Sequence, residues 1–152
     1  MRKMKTIQKI LTITLTLTLS TSFAQTDCKK CDIEKVKTIH DNIDNLTFKM
    51  VKDFLCTFDN LCETNIEFSQ WSNEMLYKLL DKEPELIIKV LDQSQLDNIE
   101  ILLDEIENPI HEFDYQKICE KVSEVKIESD FKQKVLKSIK LVADNEGIKI
   151  KK

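Results

Sequence analysis

A single glycine, Gly147, serves the whole chain and lies close to its C-terminal end. Tight β-hairpins lean on glycine for their positive-φ turn positions, so a turn-rich all-β fold is disfavoured from the outset. Glycine-rich phosphate loops, dinucleotide fingerprints and the nucleophile elbow each need glycines at fixed spacings, and none can be assembled from this chain. Most nucleotide-dependent and hydrolase architectures are thereby set aside. What remains is a helical chain, since glycine is unfavourable in helix interiors.

The helical periodicity is densest from Glu67 to Leu103, a stretch that also holds the only tryptophan, Trp71. A helix from about Ile66 to Lys82 puts Phe68, Trp71, Met75, Leu76, Leu79 and Leu80 on one apolar stripe. Gln70, Asn73, Glu74, Lys78 and Asp81 form its expected outer face. Trp71 and Phe68 would suit an exposed recognition platform, but their register with Met75 and Leu79 assigns them to the core. Pro84 then opens a new helix, because the first helical position tolerates a missing N–H. Leu86, Ile87, Ile88, Val90 and Leu91 make that helix apolar on most sides, so it should be buried.

The flanking segments follow the same rule. Asp32 caps a helix with Ile33, Val36, Ile39 and Ile43 on one side, and Asn45 or Thr47 caps a second that carries Phe48, Val51, Phe54, Leu55 and Phe58 inward. Asp59, Asn60, Glu63, Thr64 and Asn65 form a turn. After Asp92 to Ser94, Leu96, Ile99, Leu103, Ile106 and Ile110 mark a fifth helix that Asn108 and Pro109 stop. A sixth, about Asp114 to Val125, buries Tyr115, Ile118, Val122 and Val125. Ser129 caps the last, with Phe131, Val135, Ile139 and Val142 inward and Gly147 as its left-handed terminator. Ile148 to Ile150 alternate, but a lone short strand has nothing to pair with. The expected fold is an all-α, compact bundle of about seven short helices in helical hairpins. The prolines at 84 and 109, each parting a helix pair, hint at HEAT-like stacking.

The first two dozen residues read as a leader. Arg2, Lys3, Lys5 and Lys9 are followed by the apolar and threonine run Ile10 to Leu19 and by the small residues Ser22 and Ala24 around Phe23, the layout of a signal peptide cleaved after Ala24. The run is well short of the ~20 residues that span a bilayer. The expected organisation is a signal peptide over 1–24, a flexible cysteine-containing segment over 25–31, an all-α domain over 32–147 and a tail over 148–152. The destination is periplasmic or extracellular, with no stable membrane insertion after cleavage.

Cleavage removes four basic residues and no acidic one, leaving 19 basic against 27 acidic, a formal net charge of −8. That balance disfavours nucleic acid and anionic membranes as partners and favours a protein with a basic surface. Arg2 is the only arginine, so the mature chain has no bidentate guanidinium for phosphate or carboxylate.

All five cysteines lie beyond the leader, and an exported chain meets an oxidising compartment. Cys56 and Cys62 flank the turn after the second helix and could staple it. Cys28 and Cys31 form a CxxC at a helix start, which allows a terminal disulfide, a bridge to the body, a zinc site shared with two of Cys56, Cys62 and the histidines, or a redox pair. The redox reading lacks the preceding strand it needs. Cys119, next to inward-facing Ile118, reads as a small buried residue, although an odd cysteine count leaves at least one unpaired and allows a disulfide-linked dimer.

Two histidines complete the inventory. His40 and Asp44 share a helix face and read as a solvated pair. Asp104, Glu107 and His111, followed by Glu112 and Asp114, form an acidic patch suited to partner binding, to a hard cation or to acid–base work. No catalytic residue, metal ligand or cofactor is assigned. The expectation is a non-enzymatic, exported acidic binding protein with an inhibitor, immunity-type or adaptor role. A cysteine-based metal or redox protein using Cys28 and Cys31 is the alternative, and a hydrolase using His111 with Glu107 or Asp114 is the third reading.

Overall fold

A computed structural model describes residues 28–151. The expected leader over 1–24 and residues 25–27 lie outside the described residues. Among those described there are seven α-helices, one 3₁₀ turn and no strand. The helices are α1 Ile33–Asp41, α2 Phe48–Leu55, α3 Ile66–Lys82, α4 Pro84–Gln93, α5 Ile99–Glu107, α6 Tyr115–Glu124 and α7 Asp130–Asn145, with the 3₁₀ turn Asn60–Thr64 leading into α3.

Local chemistry accounts for most of these boundaries. The side chains of Asp32, Thr47, Asn65, Asp114 and Ser129 accept hydrogen bonds from backbone N–H groups in the first turns of α1, α2, α3, α6 and α7, satisfying donors that have no partner inside the helix. Pro84 opens α4 without a side-chain cap. At the other end of the chain Gly147 takes φ +75°, Ile148 donates to the Ala143 carbonyl at 2.8 Å and Gly147 to that of Asp144 at 3.0 Å. These are the two bonds of a Schellman ending.

α3 lies at the centre and packs on α1, α4, α5, α6 and the 3₁₀ turn, while α7 covers α5, α6 and α4, and α2 rests on α1 and α4. These contacts join helices far apart in the sequence and give a closed bundle. Phe54, Phe58 and Phe68 meet edge to face in series, with ring centroids 5.1 and 5.9 Å apart. A second aromatic group forms where Tyr77 stacks on Phe113 at 4.0 Å and meets the edge of Tyr115 at 6.1 Å.

Being covered on several sides changes the reading of α3. Asn73, expected on the outer face, is fully buried. Its amide donates to the Glu105 carbonyl at 2.9 Å and the Glu105 carboxylate at 3.1 Å, and its oxygen accepts from Ile110 N–H at 3.0 Å. Tyr77 is buried on the same side and donates to the Ile106 carbonyl. Trp71 is half-buried against the core, with its ring 5.7 Å from that of His40. α5 is also rotated from expectation: Leu102 is buried, whereas Ile110 lies beyond the helix and is 44% exposed. Residues 148–151 form no strand, and Lys151 N–H bonds the Gln116 side chain at 2.7 Å.

Candidate functional site

The cysteines organise one end of the molecule. Cys28 is bonded to Cys56 and Cys31 to Cys62, with Cα–Cα distances of 5.9 and 5.4 Å. The expected Cys56–Cys62 staple is therefore replaced by two bridges that run from the segment preceding α1, one to the C-cap of α2 and one into the 3₁₀ turn. The physical reason is direction. Cys56 stands at the C-cap of α2, Cys62 turns inward from the 3₁₀ turn, and both present sulfur to the incoming chain rather than to each other.

Residues 28–31, expected to be flexible, are tied down further. Cys31 N–H donates to the Thr57 carbonyl at 2.8 Å and the Lys30 ammonium to the Cys56 carbonyl at 2.9 Å. Cys31 holds φ +55°, a left-handed conformation that costs a non-glycine residue about 1–2 kcal/mol.

A groove of about 220 Å³ opens beside the Cys28–Cys56 bridge, lined by Lys29, Lys35, Lys49, Asp53 and Thr57. Asp53 is buried there and receives Lys49 at 2.5 Å and Lys35 at 3.4 Å. Sequence reasoning missed this cluster, because Asp53 falls among inward-facing apolar positions and its lysines come from two different helices.

The acidic patch is divided by the fold. Asp104 and Glu107 line a groove of about 310 Å³ between α5 and α7, together with Glu100, Lys134, Lys137 and Ser138. Within it Ser138 donates to Glu107 at 2.6 Å and Lys134 pairs with Glu100 at 3.3 Å. Asp104 accepts from the Asn108 amide at 3.1 Å. His111 sits on the exposed turn after Pro109, its ring 6.2 Å from and perpendicular to that of Phe113. Glu112 is exposed, and Asp114 caps α6 through Lys117 N–H at 3.0 Å. Among the described residues His111 shares no hydrogen bond with Glu107 or Asp114, so the geometry does not assemble the acid–base pair of the third reading.

The remaining candidates have structural partners. His40 Nδ1 lies 3.1 Å from Asp41, while Asp44 pairs with Lys82 at 2.9 Å, so the expected His40–Asp44 pair is exchanged for two others. Lys37, with His40, holds the Asp41 carboxyl below the usual carboxylate range. Cys119 is unpaired and only 4% exposed, and burial pushes its thiol above the ordinary range. A dimer bridged through Cys119 would require α6 to open. Among the described residues no three His, Cys, Asp or Glu side chains come together as a metal-binding set, and no helix is long and apolar enough to cross a membrane.

No protein-family model, curated protein or solved structure matches this chain.

Proposed function

We propose that this chain is an exported protein that binds another protein through its acidic helical surface, in an inhibitor, immunity-type or adaptor role without catalysis. The observation that carries the reading is the combination of two cross-links with a strongly acidic exterior. Four cysteines joined as Cys28–Cys56 and Cys31–Cys62 fit an oxidising compartment, in agreement with the leader-like residues 1–24. The formal net charge of −8 after leader removal supplies a long-range attraction to basic partners and repels nucleic acid and anionic lipid. Rigidity from the cross-links lowers the ordering cost of association.

The cysteine-based alternative needs Cys28 and Cys31 to act as a pair or as ligands, and here their sulfurs are engaged with Cys56 and Cys62. HEAT-like stacking would add a concave face to the same binding role. The test is affinity capture by the mature, oxidised protein from the envelope and medium of its native host, with stepwise elution by salt. The expected result is a basic protein retained at low salt and released as salt rises. Retention of nothing in a salt-dependent manner would remove the support for this reading.

A further inference from the structure

We infer that the corner formed by the 3₁₀ turn and the first residues of α3 is the docking surface, and that its occupant is a protein presenting an apolar pocket with a basic rim. The inference rests on the binding role proposed above and locates it on the molecule. Leu61 and Ile66 are the most exposed large apolar side chains among the described residues, at 80% and 68%. Of residues 60–67 only Cys62 turns inward, so the whole corner projects.

Projection here does not mean looseness. Cys62 is bonded to Cys31, and its N–H donates to the Asp59 carbonyl at 2.9 Å. The Cys62 carbonyl accepts from Asn65 N–H at 2.8 Å and from the Ser69 hydroxyl at 3.0 Å. The Asp59 side chain caps Leu61 N–H at 3.0 Å, and that of Asn65 caps Phe68 N–H at 3.2 Å. Two apolar side chains are thus held out in water by a pre-ordered backbone, the arrangement that makes anchors effective in binding.

Along the chain, the charge on this stretch has one sign. No basic residue occurs between Lys52 and Lys78, whereas Asp53, Asp59, Glu63, Glu67 and Glu74 do. Asp53 is turned in on its lysines and Glu74 pairs with Lys78 at 2.7 Å. Asp59, Glu63 and Glu67 have no ion pair among the described residues. A second copy docked at this corner would bring those carboxylates against their own kind, and an anionic membrane would be repelled. A basic rim is the complement. By contrast, Glu107 and Asp114 in the other acidic region already serve Ser138 and the α6 cap.

The test uses a short amphipathic leucine–lysine helix as the probe, titrated into the oxidised mature protein while backbone amide shifts are followed by NMR. Leu61→Ser and Ile66→Ser together, at side chains that carry little of the fold, should leave the melting temperature unchanged. The expected result is shift changes centred on residues 59–67 and binding at least about tenfold weaker in the double variant, with Asp104→Asn/Glu112→Gln losing little. Shifts centred on Asp104 to Asp114, or equal affinity of the Leu61/Ile66 variant, would overturn the corner while leaving the binding role standing. No binding to the wild type would overturn both. A Leu61-dependent dimer in sedimentation, or Leu61-dependent binding to neutral phosphatidylcholine vesicles, would overturn the assigned occupant.

Discussion

Three buried polar side chains, Asn73, Asn98 and Lys132, decide how the helices meet, and each does so by satisfying backbone carbonyls that helix ends leave open. Lys132 reaches the Val125 carbonyl at 2.6 Å from within α7 and closes the end of α6. Asn98, at the start of α5, gives both amide hydrogens away, to the Leu55 carbonyl at 2.8 Å and the Phe58 carbonyl at 3.0 Å. It therefore fastens α5 to the end of α2, next to the disulfide-bearing corner. Asn98→Asp keeps the shape but sets a carboxylate against two carbonyl oxygens. The expected cost is on the order of 3 kcal/mol at neutral pH, measured by urea unfolding. Part should return in acid, where the protonated carboxyl regains one donor. An unchanged midpoint at pH 7 would remove Asn98 from this role.

At the scale of elements, α3 is held to its neighbours by charges of opposite pH behaviour. Burial pushes Asp81 upward, but Lys121 at 2.8 Å and Lys117 at 2.9 Å, both on α6, outweigh it and hold the carboxyl below its ordinary 3.8. Its folded value is depressed, so its contribution is present above the unfolded value and is lost as pH falls through the folded one. Glu105 on α5 runs the other way: burial raises it above 4.5, and the Asn73 hydrogen bond only partly offsets the rise. Its contribution is full below that value and is lost as pH rises through the folded one. Between about pH 7 and 2, Asp81→Asn should therefore flatten the loss of stability that sets in below about pH 4, and Glu105→Gln should remove a gain that accrues above it, as pH falls toward about 4.5. Thermal melts across that range check both, and slopes of the same sign in the two variants would refute the assignment. The existence of these helices was legible from cap residues and apolar spacing: Ile66–Lys82 and the Pro84 start fall where the pattern puts them. Asn73 and Tyr77 were not legible, because periodicity reveals one buried face and α3 is covered on several.

For the molecule as a whole, the sequence indicated a helical, cysteine-bearing acidic chain but misplaced the cross-links. Cys56 and Cys62 are near neighbours in the chain, and proximity in sequence favours a local staple. What it does not encode is that the segment before α1 returns to lie beside both of them. The resulting rings span 28 and 31 residues. In the chain-entropy description, closing one ring of that size stabilises by about 3.5 kcal/mol, and the second, closing a smaller ring once the first exists, adds about 2.5 kcal/mol. The acidic patch was likewise legible only as composition: five residues close in sequence are divided by the fold between the α5–α7 groove and the turn after Pro109. The functional reading depends on a corner kept rigid by Cys31 and Cys62, so the connectivity is its most direct test. Thiols of the folded protein are blocked, the chain is digested without reduction, and the linked peptides are identified by mass spectrometry. The account predicts Cys28 joined to Cys56, Cys31 joined to Cys62, and Cys119 as the one thiol, blocked only after unfolding. Recovery of Cys28–Cys31 together with Cys56–Cys62 would contradict it.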